Sequence, residues 1–462
     1  MDRAVMRAGR THLAFGMTVV LMVLAFATAA SAATRYVATN GNDNWAGTEA
    51  YPWRHITKAA NTLVAGDTVY VKNGTYTEQV KPVNSGNSNA WINYYVYPGH
   101  TVTINGTGVN FPDWQGLVHF VYNKYIRFKG FRVVNSKWAG LFVYGNPDNP
   151  SQRAQNINLE NNYISNCKFP GITAFDTDYL LISGNELNNV CNTTAPLAEA
   201  QECISITTHS SYVEIKNNYV HDSGTPYLGA EGIDVKFGSS NCSIHDNQVA
   251  RCNSVGIYVD AWTESQHDIE VYNNKVWDCN GSGFGLSCEE GGTLQYVNLY
   301  NNIAWNNDLP GLMIPTYGTG TVHDCNIVNN TFYHNGYGWG GGIDIGEWTA
   351  TVHDIVVRNN IISQNSDYQL KIWSRAGVYN ISEDSNLIDG YRGAQDEVFG
   401  PYDFDGDPLF VNAGAGNFHL GNGSPGIDSG SCCAAVVPTF DFDYVSRPQG
   451  GSTAFDVGAF ER

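Results

Sequence analysis

Short runs of alternating apolar and polar residues recur along most of the chain at a regular interval. Each run places apolar residues at every second position and ends in an Asn corner followed by another apolar residue. The corner residues share one step of roughly 28 residues and are Asn162, Asn185, Asn218, Asn247, Asn274, Asn302, Asn330 and Asn360. Alternation with a period of two predicts strands, and a repeat of this size without a long helical segment predicts a solenoid of strands.

The Asn corners have a structural interpretation. Asn tolerates left-handed backbone angles, and its side-chain amide can stack on the Asn of the next turn. We therefore expect a column of Asn side chains at one corner of every turn.

A second strand in each repeat carries the residues that change from copy to copy. Two successive copies read Ile-Asp-Val-Lys at 233–236 and Ile-Tyr-Val-Asp at 257–260. The apolar residues should face the core, and the residues between them should face solvent. Because stacked strands lie about 4.8 Å apart, we expect Lys236 and Asp260 to be direct neighbours with Asp234 beside them.

Charge and aromatic residues concentrate on four successive copies of this strand, which makes residues 202 to 290 the candidate site. The candidate catalytic residues are Lys236, Asp260, Glu289 and Glu290. The candidate sugar-binding residues are Tyr258, Trp262 and Asp234, and the candidate metal ligands are Glu202, Glu231 and Asp234.

The first 33 residues are predicted to be a signal peptide. Three arginines precede an apolar run from Phe15 to Ala27, and Ala30-Ser-Ala32 offers small residues to a signal peptidase. The alternative is a membrane anchor, but the apolar run is short for a span. We expect a secreted protein with an N-terminal cap and first turns at 34–135, regular repeats at 136–375, and irregular last turns with a C-terminal cap at 376–462.

Composition and net charge limit the classes of partner and substrate that the protein is expected to bind. A formal charge of −19 and a pI near 4.9 argue against a nucleic-acid partner, since phosphate binding needs a basic face. The same negative charge argues against a polyanionic substrate, unless a cation lies between the protein and the substrate. Ten cysteines in an exported chain could form disulfides, or could stack as buried apolar residues, since Cys252 and Cys279 lie one repeat apart.

Two stretches resemble known families. The opening from Tyr36, with a short helix predicted after Pro52 and an Asn-Gly turn at Asn73, resembles secreted right-handed parallel β-helix proteins, including pectate and alginate lyases. The segment from Glu231 to Lys236, followed by Phe-Gly-Ser-Ser-Asn, resembles chondroitinase B and the alginate lyases of polysaccharide lyase family six. The resemblance implies an all-β, single-stranded right-handed parallel β-helix, with Glu231 as a calcium ligand and Lys236 as the catalytic base. The family also uses an Arg on the next turn, where this chain has Asp260.

Three functions remain open from the sequence. The first is calcium-assisted β-elimination on a uronate polysaccharide, with Ca²⁺ held by the candidate metal ligands. The second is hydrolysis of a glycosidic bond by Asp260 with Glu289 or Glu290, in which Lys236 holds Asp260 ionised. The third is a non-catalytic carbohydrate-binding or surface protein. In all three the expected partner is a polysaccharide, with no nucleic acid or membrane, and the expected state is a monomer.

Overall fold

The computed structural model describes residues 32–193, 202–224, 229–431, 438–449 and 454–462. Ala32–Arg462 forms one compact unit. The predicted signal peptide lies almost wholly outside the described residues. Across the described ranges, no helix has the length and apolar character needed to cross a membrane.

Short strands make up nearly all of the regular structure. In the first turns these are β1 (Thr34–Val37), β2 (Thr68–Val71), β3 (Gly74–Tyr76), β4 (Ile92–Val96), β5 (Val102–Asn105), β6 (Gly116–Val121), β7 (Lys124–Lys129), β8 (Arg132–Val134), β9 (Ala139–Tyr144), β10 (Ala154–Glu160), β11 (Tyr163–Ser165), β12 (Ile172–Phe175), β13 (Thr177–Ser183) and β14 (Glu186–Asn188). In the middle turns they are β15 (Ile204–Thr207), β16 (Glu214–Lys216), β17 (Tyr219–His221), β18 (Ile233–Lys236), β19 (Cys242–His245), β20 (Gln248–Ala250), β21 (Ile257–Asp260), β22 (Ser265–Tyr272), β23 (Lys275–Trp277), β24 (Phe284–Ser287), β25 (Thr293–Tyr300) and β26 (Ile303–Trp305). The last are β27 (Leu312–Ile314), β28 (Thr321–Val328), β29 (Thr331–Tyr333), β30 (Ile343–Ile345), β31 (Thr351–Arg358), β32 (Ile361–Ser363), β33 (Leu370–Ile372), β34 (Val378–Asp384), β35 (Leu387–Asp389), β36 (Phe410–Asn412) and β37 (Asn417–Leu420).

The strands β1 to β35 form three long parallel sheets that wind around one core. A thirteen-stranded sheet runs from β1 to β34, a twelve-stranded sheet from β3 to β35, and a ten-stranded sheet from β6 to β33. From β6 to β33 each turn contributes one strand to each sheet, and the inward apolar residues of all three sheets form a continuous core. This is the predicted right-handed parallel β-helix.

One column of Asn side chains fixes the corner between the thirteen-stranded and twelve-stranded sheets. The amide of Asn274 donates to Asn302 Oδ1 at 3.0 Å and to the backbone carbonyl of Ile244 at 2.8 Å. The same pattern repeats from Asn162 to Asn386, where the last amide donates to the Asp403 carboxylate. The predicted Asn column is therefore confirmed. The amides satisfy backbone groups that would otherwise be buried without partners.

The predicted short helix is α1 (Ile56–Ala60), which covers the core at the first turn with Ile56 and Ala59. The carboxylate of Glu78 accepts from the backbone amides of Ile56 at 3.0 Å and Thr57 at 2.8 Å. These are the amides that a helix leaves unpaired at its N-terminus. The part of the chain that the structure describes also has two short 3-10 helices, Pro150–Gln152 and Ala413–Ala415.

The described part of the C-terminal tail lies along the side of the solenoid. Phe418 and Phe460 pack against Ile303 and Trp305 of β26. A buried ion pair of 3.0 Å between Arg447 and Glu461 links two parts of the tail to each other. Arg447 also contacts Asn301 of the solenoid. The outward aromatic residues of the twelve-stranded sheet offer the apolar surface that the tail covers.

All eight cysteines in the described ranges are buried and free. The thiol of Cys252 lies next to those of Cys203 and Cys279. Hydrogen bonds with neighbouring thiols, together with burial, raise the pKa values of Cys203 and Cys252 well above their usual range, and burial does the same for Cys279, so these thiols stay uncharged. Cys432 and Cys433 lie outside the described residues.

Candidate functional site

The candidate site is a patch on the ten-stranded sheet where the outward residues stand in register. One column contains Ser205, Asp234, Tyr258, Gly285, Met313, Asp344 and Lys371. In the next column Lys236 is paired with Asp260, and Asp260 with Ser287. Lys236 and Asp260, which the sequence predicts to be neighbours on adjacent strands, are therefore paired in the backbone register.

The patch is more enclosed than the alternation predicted. Asp234 is 1% exposed, Asp260 is 3% exposed and Tyr258 is 7% exposed. The expectation that these positions face solvent is wrong because the side chains pack on each other and on the loops that follow the strands. We call Glu202, Glu231, Asp234, Lys236, Asp260 and Glu289 the central cluster.

Lys236 pairs with two carboxylates of the central cluster. Its ammonium contacts Glu202 Oε1 and lies 3.3 Å from Asp234 Oδ2. Burial alone would lower the pKa of Lys236, but Glu202 and Asp234 raise it well above its ordinary value. Lys236 is therefore a cation in this arrangement.

The carboxylates around Lys236 differ in charge. Burial opposes ionisation of Glu202, but the ammonium of Lys236 lowers its pKa. Burial raises the pKa of Asp234 well above the usual range. Burial and the charge of Glu202 raise the pKa of Glu231 to about 7, and Ser254 donates to Glu231 Oε1 at 2.9 Å.

The Asp260 carboxyl group makes its hydrogen bonds to the segment that contains Trp262 and Glu289, and it forms no ion pair with the neighbouring Lys236. Its Oδ1 accepts from the backbone amide of Trp262 at 2.8 Å and from that of Glu289 at 3.3 Å. Burial, followed by the charge of Glu289, raises the pKa of Asp260 to about 7. The expectation that Lys236 holds Asp260 ionised is therefore wrong, because Lys236 pairs with Glu202 and Asp234 instead.

Tyr258 and Thr316 hold the Glu289 side chain. The hydroxyl of Tyr258 donates to Glu289 Oε1 and accepts from Thr316 Oγ1 at 2.8 Å. Burial, with the charges of Asp260 and Glu289, raises the pKa of Tyr258 well above its usual range. Thr316 carried no signal in the sequence, since it lies in a loop two turns away.

The other predicted residues lie at the rim. Trp262 is 41% exposed, and its ring lies 5.6 Å from that of Phe237. Glu290 is exposed, and its backbone amide donates to the carbonyl of Trp262 at 3.2 Å. Of the two glutamates proposed as partners for Asp260, Glu289 is the one that contacts the buried patch.

The predicted calcium ligands fit a metal ion poorly as they are arranged. Glu202 Oε2 and Asp234 Oδ1 are buried oxygens without a hydrogen-bond partner, which is the kind of atom a cation would use. The Lys236 ammonium, however, occupies the other oxygen of each carboxylate. Within the described ranges, no group of three His, Cys, Asp or Glu residues is arranged to hold a metal ion.

Two family models match separate parts of the chain. One, described as a Pel9A-like, right handed beta helix region, matches residues 35–194, and the other, a right handed beta helix region, matches residues 293–387. Neither of these two models covers the central cluster.

Two curated relatives share part of the sequence. The chain is 28% identical over 153 residues to pectate lyase PEL9 of Emericella nidulans, which covers 30% of this chain and 36% of that protein. It is 26% identical over 294 residues to the uncharacterized protein YwoF of Bacillus subtilis, which covers 57% of this chain and 59% of that protein. The chain thus spans less than two thirds of the length of either relative.

Solved structures extend the likeness in fold to nearly the whole chain. Pectate lyase Pel9A matches with a TM-score of 0.56 and 18% identity, over 93% of this chain and 96% of that one. XylC, solved in complex with xylose, also matches with a TM-score of 0.56, at 12% identity, over 92% of this chain and 98% of that one. The chain is thus a right-handed parallel β-helix protein that resembles pectate lyases, and the Pel9A-like family model matches its first turns.

Proposed function

We propose that this protein is a secreted enzyme that hydrolyses glycosidic bonds of a polysaccharide, with Asp260 and Glu289 as the catalytic pair. The observation that carries the proposal is that these two carboxylates lie on neighbouring turns in unlike environments. Burial and the charge of Glu289 raise the pKa of Asp260 to about 7, while Glu289 accepts a hydrogen bond from Tyr258. A carboxyl group that keeps its proton near neutral pH, with a second carboxyl group beside it, is what glycoside hydrolysis needs.

The roles follow from these environments. Asp260 keeps its proton near neutral pH and can give it to the oxygen of the leaving sugar. Glu289 is the carboxylate that either activates a water molecule or attacks the sugar carbon directly. The separation of the two carboxyl groups in the substrate complex decides between the two routes and so sets the stereochemistry of the product.

The remaining residues of the site suit a sugar chain. Trp262 offers an exposed ring at the rim, and the buried Asp234 has one carboxyl oxygen without a hydrogen-bond partner. Aromatic faces and a few polar groups are the usual lining of a carbohydrate site. The relatives named above support the substrate class, since one is a pectate lyase and another binds xylose.

A second candidate function is β-elimination on a uronate polysaccharide with Lys236 as the base. The spacing from Glu231 to Lys236 and the sequence likeness to pectate lyase PEL9 favour it. Against it, a base must be neutral, and Glu202 and Asp234 keep Lys236 charged. Calcium would compete with Lys236 for these same carboxylates, so a calcium-dependent elimination requires Lys236 to leave them.

One experiment distinguishes the candidates. Purified protein is incubated with polygalacturonate, alginate and xylan, with calcium and then with EDTA, while new reducing ends and ultraviolet absorbance are followed. We expect reducing ends without an absorbance rise and without an effect of EDTA. A calcium-dependent rise in absorbance, from the unsaturated uronate that elimination leaves, would overturn hydrolysis in favour of the second candidate. If no polymer gains new reducing ends, both hydrolysis and elimination are contradicted, and a carbohydrate-binding role remains.

A further inference from the structure

A second cluster of aromatic and charged residues lies on the ten-stranded sheet beyond the central cluster. We call Asp344, Glu347, Tyr368, Lys371 and Trp373 the distal cluster. We propose that the distal cluster, with Trp348 and Tyr317 beside it, forms a subsite that binds an acidic sugar unit of the same chain that is cleaved at the central cluster. This inference rests on the proposed function for its substrate, but not for its geometry.

Lys371 is the group that would receive the sugar carboxylate. Its ammonium lies 4.0 Å from the ring centre of Trp373 and 5.0 Å from that of Tyr368. In the described ranges no carboxylate lies within 4.0 Å of this ammonium, whereas Lys236 is paired with two. A half-buried cation that faces aromatic rings and has no carboxylate at ion-pair distance suits an anionic ligand.

The supports of Lys371 are rigid. Both carboxylate oxygens of Asp344 are used, one accepting from the hydroxyl of Tyr368 at 2.5 Å and the other from the indole nitrogen of Trp373 at 2.9 Å. Asp344 itself is fully buried. The two rings that flank Lys371 are therefore fixed in place before any ligand arrives, which lowers the entropy lost on binding.

The surface beside Lys371 offers contacts for the rest of a sugar unit. Trp348 is 41% exposed and Tyr317 is 52% exposed, and their rings meet edge to face with centres 6.1 Å apart. Glu347 Oε2 is buried without a hydrogen-bond partner. An unpaired buried oxygen is costly, and a sugar hydroxyl that donates to it would remove that cost.

The distance between the clusters fits a single extended chain. Asp260 lies on β21 and Lys371 on β33, with β24, β27 and β30 between them in the sheet. Four strand spacings amount to about 19 Å along the axis of the solenoid. A polysaccharide that lies along this axis would span that distance with several sugar units. Only chains of that length would reach both clusters.

The test measures binding as a function of chain length. Calorimetric titrations use galacturonate trimers and longer oligomers with the Asp260→Asn/Glu289→Gln protein, so that cleavage does not interfere. On this background Trp348→Ala and Lys371→Met are compared with Tyr402→Ala, a matched control that removes a 73% exposed ring outside the ten-stranded sheet. We expect the first two to weaken binding of long oligomers about tenfold and to leave trimer binding unchanged. The control should change neither.

Each other outcome has a definite meaning. Equal losses for trimer and long oligomers, or no loss for either, would overturn the subsite. A loss with Trp348→Ala but none with Lys371→Met would overturn the acidic ligand and indicate a neutral sugar. Lys371→Arg and Trp348→Phe, with thermal unfolding measured on all variants, separate lost contacts from misfolding. If the length dependence holds but no polymer is cleaved by the unmodified protein, the subsite stands and the proposed hydrolysis fails.

Discussion

Asp234 and Asp344 occupy the same column of the ten-stranded sheet, four strands apart, and both are almost wholly buried. Both oxygens of Asp344 accept hydrogen bonds, from Tyr368 and Trp373. Asp234 has one oxygen 3.3 Å from the Lys236 ammonium and another without a partner. The unpaired oxygen of Asp234 therefore fits the proposal that a ligand completes the central cluster. The saturated hydrogen bonds of Asp344 mark a scaffold.

We expect the largest effect from replacing Asp260, the proposed catalytic acid of the central cluster. Asp260→Asn removes the transferable proton and keeps the shape, so we expect cleavage to fall by about 10² to 10⁴. The unfolding temperature should change little. The measurement is the rate of new reducing ends. A variant with full activity would remove Asp260 from the mechanism, and Glu290→Gln, on the exposed rim, is the control that should keep its activity.

The next effect concerns the ion pairs of Lys236. Lys236→Met leaves Glu202 buried without its counter-charge, and we expect the free energy of unfolding to fall by about 3 kcal/mol. Urea unfolding measures it. The double variant Lys236→Met/Glu202→Gln removes both charges and should recover most of the loss. If the double variant is no more stable than the single one, the Lys236–Glu202 ion pair is not what stabilises this part of the central cluster.

The two aspartates should respond in opposite ways to the same change. Asp344→Leu leaves the Tyr368 hydroxyl and the Trp373 indole without acceptors, and we expect a loss of stability of about 2 kcal/mol with cleavage of short substrates unchanged. Asp234→Leu should cost less stability and weaken substrate binding. Thermal unfolding and the KM for an oligosaccharide report the two effects. Equal responses at both positions would contradict the distinction between scaffold and site.

The smallest effect is the dependence of stability on pH. The folded pKa of Asp260, about 7, lies above its ordinary value of 3.8, so the folded protein holds a proton that the unfolded chain releases. The resulting stabilisation is complete below pH 3.8 and is lost as the pH rises through about 7. Glu231, with a pKa of about 7, acts in the same direction.

We expect the Asp260→Asn variant to lose less stability than the unmodified protein between pH 6 and 8, by on the order of 1 kcal/mol, since one pKa unit corresponds to about 1.4 kcal/mol. Unfolding curves at several pH values measure the difference. Parallel curves for the two proteins would show that Asp260 ionises at its ordinary pKa.

The fold could be predicted from the sequence because its signal repeats. Each Asn corner carries little information, but Asn274, Asn302 and Asn330 recur with the same step and predict one turn after another. The strand register followed from the same repeat, so the neighbours Lys236 and Asp260 were correctly paired along the backbone.

The side-chain partners in the site could not be predicted in the same way. Lys236 turns towards Glu202, which precedes the strand of the previous turn, and this choice depends on rotamers and burial that spacing does not encode. Thr316 reaches Tyr258 from a loop two turns further on. The strand register determines which backbone segments are adjacent. The charge states in the site depend instead on which side chains are in contact.

The Asn column also limits how such a molecule can change in length. Each corner amide bonds to the next, and the series ends on the carboxylate of Asp403. Inserting or deleting part of a turn would interrupt this series, whereas a whole turn can be added or removed with every amide still paired. The groove on the ten-stranded sheet can therefore lengthen only in whole steps of one strand spacing. Duplication of a single turn would give a descendant protein a longer ten-stranded sheet without altering the residues of the central cluster.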